Sequence, residues 1–578
     1  MKKVYTICAA LSLAAFVGCD NILDKEPIDQ FTRDNFFTSE TNVSAFANYF
    51  YNEFTGYGTG GGAGDFYFNT LNDDQASSGF TEWSFKTAPA TVSLWTTSYQ
   101  NLRRANLLIE KVPTVPGMSD EAKNNWIGVG RLYRAIQHYN LVRAFGDVIY
   151  VDKVLDVTDE DKELYLYGNR VDRDEVMDKV LEDLNFAVAN IKMNASSRVA
   201  FNAAVAQAIK SEICLYEGTF CKYRSTADGQ KAPDAARANK FLAESKAASQ
   251  AIMNNSMYAL NGDYRANYNS LDLSGNKEMI LYKHYVQGTM THAVIDFTCT
   301  STMQSGMSKA AFDSYLFRDG KPLATTEMDK SDHPIMNDSR DLDISNLLAV
   351  RDPRLSMQID SVLMYKGNGY IRYNSGMETT SSTGYGVMKF DTDKMAANLR
   401  TSATNYTDAP IFWLANIYLN YAEACAESGS ISQADLDASI NKLRDRVKMP
   451  HLTVSPEADP ANNMDVSNII WEIRRERRVE LMFDNNDRYW SLIRWHQLDK
   501  LDTTKYPDQV LGAYVADDEV TGTDAGVAIT ENGYADARSS EASKVRTFES
   551  KHYLYPIPTS QITLYESAGK TLTQNPGW

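Results

Sequence analysis

Two pairs of carboxylates have the residue types that acid–base hydrolysis needs. Asp73 and Asp74 are neighbours in the chain, and Glu476 and Glu480 are four residues apart in a helical pattern. A glycosidase needs its two carboxyl groups on opposite sides of the scissile bond, about 5–9.5 Å apart. Neighbouring loop residues rarely converge in that way, and the helical pair continues an apolar stripe, so we expect it to be buried. We therefore expect neither pair to be catalytic.

Other reactive constellations are missing from the sequence. The seven histidines have no HExxH or other ligand spacing, and the six cysteines form no Cys-x-x-Cys pair. There is no GxSxG motif, no phosphate-binding loop and no Asp-x-Asp-x-Asp-Gly calcium loop. A reaction needs a nucleophile or base with a placed partner, so we expect no enzyme, no cofactor and no metal site. Calcium held by scattered aspartates and loop carbonyls stays an open question.

Residues 65–91 differ in composition from both flanks, with aromatic rings among aspartate, serine, threonine and glycine and no helical period. Such a loop has the groups that a sugar-binding surface needs. Ring faces stack on the C–H faces of pyranoses, and aspartates accept hydrogen bonds from vicinal hydroxyls. The alternative is that these rings fill the space beneath a loop, since most aromatic side chains are buried for packing.

The overall composition limits the class of ligand. The chain of 578 residues is 43% hydrophobic and 23% charged, which is ordinary for a globular protein of more than one domain. Its net charge of −17 argues against nucleic acid, because affinity for phosphates depends on clustered lysine and arginine. The same charge disfavours sulfated or uronic-acid glycans. Nothing in the sequence identifies a particular sugar.

The first residues have the pattern of a lipoprotein export signal. Lys2 and Lys3 precede an apolar run at residues 4–17 that is too short to span a bilayer. The sequence Phe-Val-Gly-Cys that ends at Cys19 resembles a bacterial lipobox, which implies cleavage before Cys19 and acylation of this cysteine, as with palmitate. We expect the polar residues 19–33 to form a tether. The alternative is an ordinary secretory signal with an incidental cysteine.

Helical hairpins must position these groups. Apolar residues at three- and four-residue spacing predict eight helices in four pairs, three pairs before residue 255 and one after residue 405. The predicted helices cover residues 42–53, 94–111, 120–145, 172–191, 201–222, 239–253, 408–428 and 430–447. The intervening segment, residues 258–405, is rich in loops, with a short strand at 279–282. The predicted fold is therefore mainly α, with stacked helical hairpins and a loop-rich part.

The longest distinctive motif is WEIRRERRVELMFDNNDRYWSLIRW at residues 471–495, in which we expect the buried Arg477 to meet a carboxylate. Its second half alternates cations with rings, which predicts a packed corner where arginine stems cover aromatic faces. Shorter motifs are FGD at 145–147, RDPRL at 351–355, GYG at 384–386, HYLYPIP at 552–558 and LTQNPGW at 572–578. Together with the lipobox, these motifs resemble the SusD/RagB family, the surface nutrient-binding lipoproteins of Bacteroidetes.

This resemblance implies an organisation of the chain and a function. It implies a tetratricopeptide-like scaffold of four helix pairs and a loop-rich subdomain that carries the ligand face. It implies a non-catalytic lipoprotein, anchored in the outer membrane and facing the cell exterior, that captures oligosaccharides for a SusC-like TonB-dependent transporter. The parts are a signal peptide at 1–18, a lipidated tether at 19–33, an N-terminal helical part at 34–257 with a ligand loop at 56–91, a loop-rich insertion at 258–405 and a C-terminal part at 406–578.

In this family, loops from two distant segments meet on one ligand face, which allows candidate contacts to be placed by region only. The candidates are Tyr67, Asp73, Asp74, Trp83, Phe85, Tyr285 and Phe297. Three alternatives stay open. The same scaffold could carry a peptide or another nutrient, or the chain could be a helical-repeat adaptor that binds only protein through an exposed apolar groove. A lipoprotein glycosidase would turn over any glycan that it binds.

Overall fold

The computed structural model describes residues 36–67, 69–80, 82–155, 166–299, 305–338, 341–364, 381–400, 403–485, 487–515, 527–541 and 543–578. The predicted signal peptide, the predicted lipidation site at Cys19 and the predicted tether lie outside the described residues.

Helices supply most of the regular structure, so the prediction of a mainly α fold is confirmed. The helices are α1 Glu40–Ala47, α2 Ser93–Lys111, α3 Asp120–Phe145, α4 Arg173–Asn190, α5 Ala203–Tyr223, α6 Ala235–Met253, α7 Ala266–Asn269, α8 Val294–Thr298, α9 Lys309–Phe312, α10 Ser345–Ala349, α11 Pro353–Gln358, α12 Leu414–Glu427, α13 Gln433–Asp437, α14 Ile440–Arg446, α15 Asn468–Glu480, α16 Asp487–Arg494 and α17 Thr559–Ser567. The strands are β1 Gln75–Ala76, β2 Met279–Lys283, β3 Gly306–Met307, β4 Ile335–Met336, β5 Leu342–Asp343, β6 Ala409–Trp413, β7 Leu511–Tyr514, β8 Ala528–Ile529 and β9 Tyr534–Asp536.

Polar caps and a glycine fix the ends of the long helices. Ser119, Asn202 and Asp234 each accept a hydrogen bond from a backbone amide in the first turn of α3, α5 and α6. Helix α3 ends at Gly146, whose φ of 73° costs glycine little. Helices α2, α3 and α4 begin and end within one residue of the predicted bounds.

The long helices stack in chain order. Helix α2 packs against α3, α3 against α4, α4 against α5, and α5 against α6. The next neighbour of α6 is α12, which follows the whole loop-rich insertion and itself packs against α15. Asn420 of α12 donates to the Ser211 hydroxyl of α5 at 3.0 Å, and that hydroxyl lies 2.7 Å from the hydroxyl of Ser249 on α6. The fourth helix pair thus extends the stack of the first three.

Three predicted helical segments differ from the structure. Residues 409–413 form strand β6, because they pair with β2, and Pro410 lacks the amide that a helix interior needs. Residues 430–447 divide into α13 and α14, since Ser439 between them has φ −135° and ψ −92°, outside the helical region. Residues 48–53 form a 3₁₀ turn after α1 instead of continuing the α-helix.

Short strands join loops that are distant in sequence. Strand β1 pairs antiparallel with β3, and β2, which confirms the strand predicted at 279–282, pairs antiparallel with β6. Strands β4 and β5 pair with each other, and β9 lies between β7 and β8 in a three-stranded sheet. Within the described parts of the chain, no helix combines the length and apolar character required to cross a bilayer.

Candidate functional site

Arginines surround the two glutamates of α15. Arg354 of α11 donates to Glu476 at 2.6 Å and to Glu480 at 2.9 Å. Arg444 adds a 2.9 Å bond to Glu476, and Arg446 pairs with Glu480. Burial alone would raise the pKa of each glutamate, but the guanidinium charges outweigh it and hold both pKa values below the ordinary range. The pair is buried, as predicted, and its lone pairs are occupied by arginine.

The packed corner predicted for residues 488–495 is centred on Glu423 of α12. Arg477 donates to Glu423 at 2.8 Å, which confirms the carboxylate partner predicted for this arginine. Arg494 and the Trp495 indole donate to the same carboxylate at 2.9 and 2.7 Å. Burial opposes ionisation of Glu423, but the arginine charges prevail and lower its pKa to about 2. The Arg474 guanidinium lies 4.4 Å from the centre of the Trp495 ring, so arginine stems cover this aromatic face as predicted.

Asp73 and Asp74 fasten the 65–91 loop to the helical scaffold. Arg488 of α16 binds Asp73 through two hydrogen bonds of 2.6 and 2.7 Å. Arg478 of α15 donates to Asp74 at 2.6 Å. Burial favours the neutral acid, yet the two arginine charges hold the pKa of Asp73 well below its usual range. Both predicted ligand contacts are therefore buried and engaged with arginine in this structure.

Tyr67 and Tyr285 also lie in the interior. Tyr67 is 3% exposed and donates its hydroxyl to the Ser305 carbonyl at 2.8 Å. Tyr285 is 1% exposed and donates to the Gly58 carbonyl at 2.7 Å. Their rings face protein, so in this conformation these two predicted contacts hold the ligand loops in place and present no ring face to solvent.

The other three predicted contacts are partly exposed. Trp83 stacks on His552, with ring centroids 3.9 Å apart, and its indole donates to the Thr547 carbonyl at 2.8 Å. Phe85 makes edge contacts with Tyr555 at 5.0 Å and with Trp578 at 6.4 Å. Phe297 lies in α8. Trp83 and Phe85 thus join the 65–91 loop to the HYLYPIP and LTQNPGW motifs, and ligand contact by all three residues stays a prediction.

The two predicted ligand segments do meet. Strand β1 of the 65–91 loop pairs with β3 of the insertion, with Gln75 opposite Met307. Next to this ladder, the Ser308 hydroxyl donates to the Asp73 carbonyl at 2.6 Å, and the Ser78 amide donates to the Ser382 hydroxyl at 3.0 Å. Backbone and serine groups thus join the two segments, together with the hydroxyls of Tyr67 and Tyr285, which donate to Ser305 and Gly58.

A group of partly exposed rings adjoins the junction, and we call it the tyrosine patch: His333, Tyr514 and Tyr534 with Lys309 and Asp332. Tyr514 of β7 lies opposite Tyr534 of β9, with ring centroids 5.6 Å apart and the planes at 82°. The His333 side chain is 57% exposed, and the centroid of its ring lies 3.8 Å from that of the Tyr514 ring. The Lys309 ammonium lies 5.2 Å from the centre of the Tyr534 ring, whose hydroxyl donates to Asp332. The patch therefore combines ring faces with polar groups of both charges.

Sequence reasoning did not find the tyrosine patch. Its rings come from three stretches that are individually polar and rich in turns, and the acidic segment after Trp495 has no strong period. The only available signal was the alternation of apolar and polar residues around Tyr514 and Tyr534, which is short and typical of many strands. Only the cross-strand pairing, which sequence does not reveal, sets the two rings side by side.

Among the described residues, one cluster has side chains close enough to share a metal ion: Asp174, Glu217 and Cys221, whose ligand atoms lie within 4.8 Å of one another. Arginine already occupies the carboxylates. Arg173 binds Glu217 at 2.6 Å, and Arg224 binds Asp174 at 2.7 Å. A guanidinium at each carboxylate leaves little charge to attract a cation, so these groups act as ion pairs between α4 and α5.

Two family models match the chain. Residues 277–578, more than half of the chain, match the model described as SusD family. Residues 21–215 match a model described as starch-binding associating with outer membrane. No curated protein sequence matches.

Solved structures share the fold at low sequence identity. A SusD-like carbohydrate-binding protein from Bacteroides fragilis is 20% identical with a TM-score of 0.66, covering 92% of this chain and 99% of that one. A second SusD-like protein from B. fragilis is 21% identical with a TM-score of 0.64, covering 96% and 100% of the two chains. A third structure, solved with a xylogluco-oligosaccharide, is 18% identical with a TM-score of 0.57, covering 90% and 96%. From the family match over its larger part and this shared fold, the chain belongs to the SusD family.

Proposed function

We propose that this protein captures glycans at the cell surface without cleaving them and delivers them to a SusC-like TonB-dependent transporter of the outer membrane. The observation that carries the proposal is the match of residues 21–215 to a family described as starch-binding and associating with the outer membrane. This part of the chain contains the predicted ligand loop. One solved relative with the same fold holds a xylogluco-oligosaccharide, which favours a glycan as the ligand over a peptide.

The tyrosine patch is the surface that we propose for the first contact with a glycan. Tyr534 and His333 offer ring surface. Lys309 and Asp332 lie at its edge as a further donor and acceptor, beside the bonds that they already make to Asp313 and to Tyr534. Pyranose rings have apolar C–H faces and equatorial hydroxyls, so they bind to rings flanked by polar groups. Trp83, Phe85 and Phe297 stay additional proposed contacts. Asp73, Asp74, Tyr67 and Tyr285 would support the loops from below.

The pairing of the two candidate carboxylate pairs supports binding without hydrolysis. Asp73 and Asp74 are bound by Arg488 and Arg478, and the two glutamates of α15 lie between arginines. An acid catalyst must hold a proton near neutral pH, which requires a raised pKa. The arginine charges act in the opposite direction at Asp73 and at both glutamates. Burial raises the pKa of Asp74 despite the charge of Arg478, but its carboxylate is held by that arginine at 2.6 Å.

Delivery requires a tether and a seat on the transporter. We propose that Cys19 carries the lipid, that residues 19–33 allow the body to rock, and that the stacked helices of 34–257 and 406–578 sit on the barrel. The loop-rich insertion of 258–405 would then face outward with the patch. Acylation anchors a protein to a membrane without a spanning helix.

Affinity electrophoresis tests the ligand class. The chain from Asp20 to Trp578, without lipid, is run through gels that contain neutral or acidic polysaccharides, and its mobility is compared with that in plain gel. We expect retardation by one class of neutral polymer and no shortening of that polymer after long incubation. Retardation with release of short products would identify a glycosidase. If no polymer retards the chain but peptides bind, the scaffold serves peptide uptake.

A further inference from the structure

A half-open cavity lies within the helical scaffold. It has a volume of about 470 Å³ and is lined mainly by residues of α3, α5, α12, α15 and α16. None of the seven predicted ligand contacts and no residue of the tyrosine patch lines it. Its lining side chains are mainly aromatic rings, amides and charged groups. They include Tyr139, Tyr216, Trp490, Asn140, Asn416 and Asn420.

A cation and a carboxylate face this cavity without an ion partner. The Arg143 guanidinium lies 4.3 Å from the centre of the Trp490 ring and 4.9 Å from that of Tyr139, and no carboxylate of the described chain comes within 4.0 Å of it. The Glu212 side chain lines the cavity, where it is exposed to solvent although protein surrounds the cavity. It accepts no hydrogen bond from any described residue. Burial raises the pKa of Glu212, against the opposing charge of Arg143. By contrast, five arginines nearby in the scaffold each pair with a carboxylate: Arg354, Arg444, Arg446, Arg477 and Arg494.

Three further polar atoms of the lining residues lack partners within the described protein. They are the Arg143 Nε, the Tyr216 Oη and the Asn416 Oδ1. Buried polar groups of folded proteins are hydrogen-bonded in the great majority of cases. Here a donor, an acceptor and a hydroxyl that can be either remain unused around one space. Molecules that carry donors and acceptors close together, such as polyols, satisfy such a set better than a simple anion or cation.

Charge and size narrow the ligand further. Five carboxylates line the cavity against three arginines, so an anionic ligand is disfavoured. A cavity of a few hundred Å³ has the size for a ligand of one or two rings. We propose that this cavity is a second saccharide site, which binds a neutral mono- or disaccharide with Glu212 and Arg143 on its hydroxyls. The choice of saccharide as the ligand class rests on the proposed function; the existence of the site rests on the unpaired groups.

Ligand-observed saturation-transfer NMR tests the site with the Asp20–Trp578 chain, which contains every described residue. The probes are glucose, galactose, xylose, N-acetylglucosamine, maltose and cellobiose. We expect at least one of them to bind, and Glu212→Gln to weaken it by about tenfold, since a hydrogen bond to a charged group is lost. Glu212→Trp fills the cavity and should abolish binding. The matched control is Glu182→Gln, because the Glu182 side chain is 64% exposed on α4 and should leave binding unchanged.

The outcomes separate this site from the surface platform. Retardation by polysaccharide gels should be the same for the wild type and for both Glu212 variants, because the surface proposed for polymers is the tyrosine patch, none of whose residues lines the cavity. If no probe binds, or if a probe binds equally to wild type, Glu212→Gln and Glu212→Trp, the cavity holds water only and the proposal is overturned. Glu212→Gln keeps the side-chain volume, so it decides the matter even where the larger variant fails to fold. If no polysaccharide retards the wild type although a small saccharide still binds in the cavity, the result would instead count against the proposed function.

Discussion

Arg354 is 1% exposed and binds three carboxylates, those of Asp352, Glu476 and Glu480. Removing one partner from a buried ion network leaves the others as uncompensated buried charges. We therefore expect Arg354→Met to lower the free energy of unfolding by about 3–5 kcal/mol, measured by urea denaturation. The matched control is Lys179→Met, which removes a surface pair with Glu182 and should change stability by less than about 0.5 kcal/mol. Equal midpoints for the two variants would show that the arginine network does not stabilise the fold.

His292 gives stability a dependence on pH. The side chain is fully buried, and its Nε2 lies 3.0 Å from the Thr407 carbonyl oxygen. Its Nδ1 accepts a hydrogen bond of 3.3 Å from the Val294 amide, which requires the neutral form of the ring. Burial, the largest cause, lowers its pKa to about 3. In the unfolded chain, histidine titrates near pH 6.5. Below that pH the unfolded state binds a proton that the folded state does not bind, so the free energy of unfolding decreases as the pH is lowered.

From this shift we expect His292 alone to remove about 2 kcal/mol of stability between pH 7 and pH 5. His292→Gln, which cannot ionise, should be less stable at pH 7 and should lose that much less over the same interval. The measurement compares urea midpoints of both proteins at the two pH values. A parallel loss in wild type and variant would mean that the ring is protonated in the folded protein or does not contribute.

The element that unites the two ligand segments is the β1–β3 pair, and Gly306 is its tightest point. A Cβ at this position would lie 2.1 Å from the Ser381 Oγ, 2.2 Å from the Thr383 Oγ1 and 2.7 Å from the Tyr385 carbonyl oxygen. We expect Gly306→Ala to destabilise the protein by about 1–3 kcal/mol through overpacking. The expected loss is to be read from thermal or urea unfolding.

Gly61 supplies the matched control for this substitution. It lies in the glycine-rich first part of the 56–91 ligand loop, and a Cβ there would meet no atom within 4 Å. Gly61→Ala should therefore leave stability unchanged or raise it by a few tenths of a kcal/mol, about the entropy that alanine removes from the unfolded chain. If Gly306→Ala is as harmless as Gly61→Ala, the junction has room that the structure does not show.

At the scale of elements, the sequence predicts what depends on local period and misses what depends on distant pairing. The bounds of α2, α3 and α4 follow from their apolar spacing, and α3 and α4 also have the polar N-caps Ser119 and Asp172. Strand β6 was predicted as a helix because its partner β2 lies more than a hundred residues away. The tyrosine patch was missed because Tyr514 and Tyr534 meet only through the pairing of β7 with β9, which the sequence does not show. Four of the seven predicted contacts are buried. Composition can locate a ligand loop, but it does not show which of its side chains face inward.

At the scale of the whole molecule, the stack from α2 to α6 continues through α12 to α15, so the insertion leaves the scaffold and returns to it. This arrangement gives one helical body, and the patch is shared between the insertion, with Lys309, Asp332 and His333, and strands β7 and β9, with Tyr514 and Tyr534. A lipid at Cys19 would leave both free to move relative to the membrane. We expect Cys19→Ser to lose palmitate labelling and to leave the outer-membrane fraction for the soluble fraction. A labelled variant that stays with the membrane would refute lipidation at this residue.

The central claim is that the protein holds glycan on the tyrosine patch and does not cleave it. The most direct measurement is the dissociation constant for the retained polysaccharide, in the wild type and in a Tyr514→Ala/Tyr534→Ala double variant. Tyr49→Ala is the matched control, since Tyr49 is 40% exposed on the helical side of the protein. We predict at least tenfold weaker binding for the double variant, from about 1 kcal/mol per ring, with Tyr49→Ala unchanged and no products in any sample. Wild-type affinity in the double variant, or release of short sugars by the wild type, would contradict the account.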